Sequence, residues 1–541
     1  MKKAFRSTLN GALATLFEVS PFLATRLGES GFDHLSDDYS PRGRARWRAG
    51  LKAALEQLES IERISLGAAE QLEIEALASL LEVLRRRDKD LLIHERDPDL
   101  YVRELAWALF GLLEGPGPLA ERAHCLLERL RNVGRHLEVA IANLKRGYDI
   151  PAEWTRTAVL RLEGLDRLFR EQLHPFARTA GRRAEQLGDA VEGARRQLVQ
   201  FRRQLAEELL PRCDGQFAVG RSFFQLLLKR QHGSEARALE IGQRAEEELH
   251  RLEQRLHERA GALGLAADVA GTVAYLQRRS PAAGRLLAAY RKELQSASGQ
   301  LAALGLPAPP RDAAFGPRPA PPFCSPDHPQ AFFEALALLG RPQGAVLVMP
   351  VDSSLPEGLQ AELLAEHSNY QVQIRCWREG VPGKALQFAH AVRGTSRIRR
   401  LLRSPSTIEG WGLYVLDLLE EAGALGNPRL AFMVELERLR AALEAVLDVR
   451  LHLQALPFVD AVEQLMRRGQ LPPAVAEVTA RRLAHQPTYG VAAFAGRQEI
   501  LRLRADLAEA RGPRFKPAEL HERLLRMGGA PLGAVREAAL R

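Results

Sequence analysis

The sequence predicts a mainly α-helical protein with one short strand element. Leucine, alanine, arginine and glutamate dominate the composition and favour helices, whereas aromatic residues make up only 6%. Apolar residues recur every three or four positions over 42–87, which is the spacing of one helix face. The valine-rich run over 345–351 is the best strand candidate. With 541 residues, the chain is long enough for a large buried core.

Breaks rich in proline and glycine divide the predicted helices of the first half. Ser20 and Pro21 end a first amphipathic helix over 4–18, and a loop rich in Gly, Asp and Pro follows. Pro98 fits the first turn of another helix, and the run Gly115–Pro118 breaks the chain again. Long helices are then expected over 119–145, 152–180 and 182–209.

The chain is expected to have two halves that form one compact unit. The segment Pro211–Gly215 separates an N-terminal helical half (1–210) from a second helical half (211–541). A proline-rich segment over 306–329 must be extended or loop-like. The remainder of the second half has helical periodicity, and no fixed-period repeat predicts a solenoid.

Composition and charge restrict the possible partners. The net charge of +9, from 76 Lys and Arg against 67 Asp and Glu, permits contact with an acidic partner but does not determine the fold. The four cysteines form no CxxC pair, so neither a disulfide framework nor a zinc ribbon is predicted. The N-terminal residues do not resemble a signal peptide, and no uncharged run of 18 apolar residues occurs. We therefore expect a cytoplasmic protein with no membrane partner.

The chemically most informative stretch begins with WREGVPGKALQ and ends with STIEGWGLY. It contains two carboxylates, Glu379 and Glu409, and two cations, Arg378 and Lys384. A zinc hydrolase needs two neutral imidazoles and a carboxylate on the metal, with a glutamate as general base. Arg378 offers no lone pair, and Lys384 could bind a metal only after losing its proton. We therefore expect the cations to neutralise the carboxylates in a salt-bridged cluster.

Several segments in a fixed order resemble a known bacterial family. They are FEVSPFLATRLGESGFD near the start, ERDPDLYV at 95–102, ERLRNVGRHLEVAIANL at 128–144, VGRSFFQLLL at 219–228 and FKPAELHERLLRMGGAPLGAVR near the end. The chain thus resembles, nearly end to end, the helical family known as domain of unknown function 885, whose members look like gluzincin-type metallopeptidases. The resemblance implies a large helical metallopeptidase-like fold in which the first half covers a peptidase-like second half.

The resemblance also implies which residues form the site. The family signature looks like a His-Glu pair, then Pro-Gly-His and Gln, with Glu-Gly-Trp downstream. Glu379 corresponds to a vestigial general base and Glu409 to a vestigial metal ligand. Arg378 and Lys384 stand where the family has histidines, and Ala493 stands where it has a tyrosine. The further binding or supporting residues implied by the resemblance are Gln387, Trp411, Tyr414, His452 and Tyr489.

These features favour a degenerate metallopeptidase, a pseudoenzyme that binds a peptide or protein partner without zinc-dependent hydrolysis. We expect no cofactor, although zinc is expected in the family. The alternative is a peptide or amide hydrolase that acts through Glu379, either with a weakly bound metal or without one. Tyr489 lies one helical turn before Ala493 and could then supply the missing hydroxyl. The sequence indicates neither the substrate nor the oligomeric state.

A basic tract over 393–403 suggests a further alternative, an arginine-rich nucleic-acid or phosphate binder. On a helix, Arg393, Arg397, Arg400 and nearly Arg403 would lie on one face. No aromatic side chains interleave with them, and no nucleic-acid-binding motif is present. We therefore expect a solvated helix face, and nucleic acid is not an expected partner.

Overall fold

The computed structural model describes residues 2–63, 66–311, 313, 315–339 and 342–540. The α-helices of the first half are α1 (Lys2–Val19), α2 (Pro21–Arg26), α3 (Pro41–Glu59), α4 (Ala68–Leu91), α5 (Ile93–Arg96), α6 (Pro98–Glu114), α7 (Leu119–Arg146), α8 (Ala152–Leu168), α9 (His174–Arg178) and α10 (Ala184–Gln204). Those that follow are α11 (Gly220–Leu227), α12 (Ala238–Leu263), α13 (Val269–Gln277), α14 (Leu286–Ser298), α15 (Glu357–Ala365), α16 (Asn369–Glu379), α17 (Lys384–Gly394), α18 (Pro405–Glu421), α19 (Pro428–Leu453), α20 (Phe458–Arg467), α21 (Pro473–His485), α22 (Tyr489–Arg511), α23 (Pro517–Met527) and α24 (Leu532–Leu540). The predicted mainly helical fold with a short strand element is confirmed.

In the part of the chain that the structure describes, three helices continue into a π-helical turn. These turns follow α8, α10 and α11 and cover Phe169–Leu173, Leu205–Leu209 and Leu228–His232. The predicted helix over 152–180 is therefore built from α8, one π-helical turn and α9. No helix in the described part of the chain is long and apolar enough to cross a membrane.

Within the described residues, three strands form one small sheet. They are β1 (Pro317–Pro319), β2 (Ala331–Ala337) and β3 (Gln343–Val348). The central strand β3 pairs in parallel with β1 and antiparallel with β2. The strand predicted over 345–351 is β3, which begins two residues earlier and ends three residues earlier. The sequence did not predict β1, which lies in the proline-rich segment, or β2, whose AFFEALA sequence includes helix-favouring residues.

The sheet lies between two large hydrophobic cores. The larger core contains Leu9 from α1 and Trp411 from α18, so it joins the two predicted halves. The second core is built mainly from α6, α7, α8 and α10. Because neighbouring side chains of a strand point to opposite faces, Phe332 of β2 packs in the second core and Phe333 in the larger one.

The helix α19 runs through the larger core. The side chain of Asn427 accepts a hydrogen bond from the Arg429 amide at 3.0 Å, and Pro428 occupies the first turn. Most of this helix is buried, including the charged residues Glu437 and Arg440. Buried charges are costly unless they are paired, so α19 requires partners of opposite charge from the helices around it.

The basic tract does not form a continuous helix, so the prediction of a shared arginine face over 393–403 is wrong. The helix α17 ends at Gly394, a residue with low helix propensity, and Arg399–Leu401 forms a separate 3₁₀ turn. A new helix then begins at Pro405.

Candidate functional site

A cleft of about 790 Å³ lies where α16, α18, α19 and α22 approach the start of β2. Nine of its twenty lining residues carry charged side chains. They are Arg375, Arg378, Glu379, Lys384, Glu409, Glu437, Arg440, Glu444 and Arg482. The sequence-predicted residues Arg378, Glu379, Lys384, Glu409 and Tyr489 therefore meet in one place.

A tight turn between α16 and α17 places Glu379 and Lys384 in this cleft. A Cβ atom on Gly383 would lie 2.0 Å from the carbonyl oxygen of Arg378, so this position admits only glycine. The indole N–H of Trp411 donates to the carbonyls of Pro382 and Gly383, at 3.2 and 3.1 Å. Trp411 thus holds the turn in place and does not line the cleft.

The close crossing of α18 and α22 places Glu409 beside Tyr489. A Cβ atom on Gly410 would lie 2.5 Å from the Cα atom of Gly496, so the two backbones touch at this point. The Tyr489 hydroxyl donates to Glu409 Oε1 at 3.2 Å. Burial and the Glu409 charge raise the pKa of Tyr489 well above its usual value. The Tyr489 hydroxyl therefore keeps its proton and directs it at the Glu409 carboxylate.

The ammonium group of Lys384 lies between the two predicted carboxylates. Its Nζ is 2.9 Å from Glu379 Oε2 and 2.5 Å from Glu409 Oε2. The three side chains are only 5%, 3% and 13% exposed, respectively. Glu379 Oε2 also accepts the backbone N–H of Phe333 in β2 at 2.9 Å. Burial alone would raise the pKa of Glu409, but Lys384 lowers it below its usual value.

The Arg378 side chain pairs with a residue that the sequence analysis did not identify. Its guanidinium forms a buried ion pair with Glu437 of α19, so the expected pairing with Glu379 or Glu409 is wrong. Arg378 affects those two carboxylates only at longer range. Arg375 also contacts Glu437, at 3.1 Å. Burial would raise the pKa of Glu437, but the surrounding arginines lower it to about 2.

Further ion pairs complete the walls of the cleft. Arg440 makes two contacts with Glu366, at 2.9 and 3.0 Å. Arg482 contacts Glu444 at 2.9 Å, and its guanidinium lies 5.2 Å from the ring centre of Tyr489. Each arginine and lysine in the cleft walls thus has a carboxylate partner.

Three other predicted positions lie at or beyond the edge of this cluster. Ala493 lines the cleft and carries no polar group. Gln387 lies in a neighbouring cavity, where its side-chain amide is 3.5 Å from the Thr407 carbonyl. The Tyr414 hydroxyl accepts from Arg504 at 3.2 Å and lies 3.0 Å from a ring nitrogen of His521. Tyr414 is therefore part of the core behind the site.

The His452 side chain supports the fold away from the cleft. Its Nε2 donates to the carbonyl of Leu483 at 2.9 Å, and burial lowers its pKa to about 4. Asp448, one turn earlier, accepts the amides of Thr488 and Val491 at 3.2 and 3.1 Å. Asp448 thus fixes the start of α22 relative to α19, and His452 fixes the end of α21. His452 is not among the residues that line the cleft.

The side chains present do not fit a zinc ion. The cations Lys384 and Arg378 bring no free lone pair to the cleft. Among the residues that the structure describes, no group of three or more His, Cys, Asp or Glu side chains is arranged to hold a metal ion. We therefore derive no reaction step that involves a metal.

Helical spacing could have identified some of the residues that sequence analysis missed. One face of α19 carries four of the residues described above, spaced seven, four and four positions apart: Glu437, Glu444, Asp448 and His452. The family resemblance implied only His452 as a site residue. Extending that face toward the start of the helix predicts Glu444 and Glu437 as neighbours of the site.

We predict that replacing Lys384 destabilises the protein far more than replacing an exposed lysine. Lys384→Met leaves two buried carboxylates without their cation, which costs about 3–5 kcal/mol. Lys52→Met is the matched control, because Lys52 is 76% exposed and forms only a surface pair. Thermal and urea unfolding measure both changes. Equal stabilities for the two variants would contradict the structural role of Lys384.

Comparison with known proteins places the chain in a family. The model of a bacterial protein family of unknown function, DUF885, matches residues 21–538. A protein described as a "putative lipoprotein of unknown function" from Shewanella oneidensis has a TM-score of 0.80 and 19% identity, covering 99% of this chain and 100% of its own. A "putative lipoprotein" from Colwellia psychrerythraea has a TM-score of 0.82 and 17% identity, covering 100% and 98%. No curated protein matches the sequence. The two solved structures share the fold, and the family match shows that this chain is a member of the DUF885 family.

Proposed function

We propose that this protein is a degenerate metallopeptidase-like member of its family that binds a peptide or protein partner without zinc-dependent hydrolysis. The observation that carries the proposal is the position of the Lys384 ammonium between Glu379 and Glu409. A zinc hydrolase holds its metal beside a general-base glutamate and a ligand carboxylate. Here a lysine supplies the positive charge between two such carboxylates.

The proposal includes the loss of two histidine ligands at positions 378 and 384. Zinc binding would require Lys384 to lose its proton, although two adjacent carboxylates stabilise its positive charge. Arg378 has no lone pair to offer and is held by Glu437. The ion pairs of the cleft therefore replace the charge of a metal.

The arrangement of Glu379 and Tyr489 also argues against hydrolysis. Glu379 accepts from Lys384 and from the Phe333 amide, so one of its oxygens is fully engaged. The Tyr489 hydroxyl donates to Glu409, which leaves it without a proton to offer an oxyanion. Hydrolysis through the other oxygen of Glu379 is the alternative, and Tyr489 could then support an oxyanion only if its hydrogen bond to Glu409 broke.

The cleft retains features of a binding site. Apolar surface from Phe332 and Leu471 lies beside polar groups, and the partly exposed pair Arg482–Glu444 offers both charges near the rim. A short peptide carries apolar side chains, polar amides and charges, so it matches such walls better than a purely apolar ligand does.

The location of the protein is a separate part of the proposal. The cytoplasm is the expected location, whereas the two structural neighbours are described as putative lipoproteins, which favours a location outside it. Fractionation of the cells that make the protein distinguishes the two locations.

We predict that the native protein carries no stoichiometric zinc, because the two cations occupy the place of nitrogen ligands. Elemental analysis of protein purified without chelators measures the metal content. About one tightly held zinc per chain would contradict the proposal and favour the hydrolase alternative.

We also predict that histidines at positions 378 and 384 create a zinc site. The variant Arg378→His/Lys384→His offers two neutral nitrogen ligands, and Glu409 supplies an oxygen ligand. Calorimetric titration should detect zinc binding in this variant but not in the parent. The control variant Arg378→Met/Lys384→Met removes the same charges without adding ligands.

Failure of the histidine variant to bind zinc, while it remains folded, would mean that these positions do not correspond to lost ligands. Hydrolysis is not expected from the double variant, because Ala493 offers no hydroxyl to the oxyanion. Adding Ala493→Tyr should raise any hydrolytic activity and leave the zinc affinity little changed.

A further inference from the structure

A second cavity, of about 430 Å³, lies next to the charged cleft. The two cavities share Lys384 and no other residue among their walls. Three arginines line the second cavity, and we call it the arginine pocket after Arg399, Arg400 and Arg403. Its apolar walls come from Phe333, Leu338, Phe388, Val392, Leu402, Ile408 and Met527.

The arginines of this pocket differ from those of the cleft because none has a carboxylate partner. In the described part of the chain, the side chains of Arg399 and Arg403 form neither a hydrogen bond nor an ion pair within 4.0 Å. Arg400 donates only to the carbonyls of Val392 and Leu338, at 2.7 and 3.4 Å. The buried Nε atoms of Arg399 and Arg400 have no partner.

The electrostatics of the pocket favour an anion. Burial lowers the pKa of each of the three guanidinium groups, and the nearest carboxylates only partly offset this effect for Arg403. These carboxylates, Glu334 and Glu409, act on Arg403 without forming an ion pair. A bound anion would supply charge-assisted hydrogen bonds to guanidinium groups that otherwise lack them.

The segment that carries Arg403 is held firmly in place. The Ser404 amide donates to the Gly529 carbonyl at 2.8 Å. A Cβ atom on Gly529 would lie 2.4 Å from the Leu402 carbonyl oxygen, so the two backbones are in contact. The Thr407 hydroxyl also donates to the Ala530 carbonyl at 2.7 Å. The pocket is therefore largely formed before a ligand arrives, which reduces the entropic cost of binding.

We propose that the arginine pocket binds a carboxylate of a peptide whose neighbouring apolar side chain packs against Phe333 and Phe388. The carboxylate is either the C-terminal group or an acidic side chain. The inference rests on the proposed function for the identification of the ligand as a peptide. The apolar walls favour an organic carboxylate over an inorganic anion, and a peptide held there would continue past Lys384 into the cleft.

The test compares four probes by calorimetric titration at low salt. They are N-acetyl-Ala-Leu with a free carboxylate, N-acetyl-Ala-Leu amide, N-acetyl-Ala-Glu amide and inorganic phosphate. The first and third distinguish a terminal from a side-chain carboxylate, and the second is the neutral control. We expect one or both carboxylate peptides to bind about 10- to 100-fold more tightly than the neutral amide.

Two pocket variants and one matched control locate the binding site. Arg403→Gln and Arg399→Gln should each lower the affinity for the carboxylate peptide about 10-fold or more. Each should change the affinity for the neutral amide less than about twofold. Arg397→Gln removes the same charge from the same segment, but Arg397 pairs with Glu29 and does not line the pocket. It should change the affinity less than about twofold.

The outcomes separate this inference from the proposed function. Equal affinities for the acid and amide peptides would overturn the arginine pocket as a carboxylate site but leave peptide binding intact. The same conclusion would follow if Arg397→Gln lowered the affinity for the acid peptide as much as the pocket variants do. Binding of phosphate alone would overturn it as a peptide site. Absence of binding by every peptide would overturn the proposed function as well. If Arg403→Gln does not fold, Arg403→Lys replaces it, because lysine keeps the positive charge. Lysine lacks the paired donors of a guanidinium group, so the affinity for the acid peptide should still fall.

Discussion

The contact of Lys384 with two buried carboxylates is the interaction on which the site depends. Glu379 and Glu409 come from helices on either side of the cleft, and at this depth their charges would repel each other strongly. The lysine offsets that repulsion for both carboxylates at once. The turn at Gly383 and the contact of Gly410 with Gly496 matter because they bring the three groups together.

The same requirement explains the ion pairs along α19. This helix passes through the core, so the charge of Glu437 cannot reach water and must meet Arg375 and Arg378 from α16. The pKa of Glu437 falls from the usual 4.5 to about 2. Its contribution to stability is therefore complete above the ordinary glutamate range and is lost as the pH falls through about 2.

The sequence predicted the helical fold and much of the site, but it could not predict how the charges pair. Residues close in sequence, such as Glu379 and Lys384, could be assigned to one cluster because a short turn joins their helices. Glu437 lies about 60 residues from Arg378 along the chain, and only tertiary packing brings them together. The arginine tract was misread because helical spacing was extended across Gly394, where the helix ends.

The difference between the two cavities indicates where this molecule can still gain free energy from a ligand. In the cleft, the charges already satisfy one another, so a ligand that displaces an ion pair must replace both partners. In the arginine pocket, none of the three guanidinium groups has a carboxylate partner among the described residues, so a bound carboxylate would gain contacts without breaking an ion pair. Because Lys384 already pairs with Glu379 and Glu409, the arginine pocket offers more favourable binding chemistry for an anion than the cleft does.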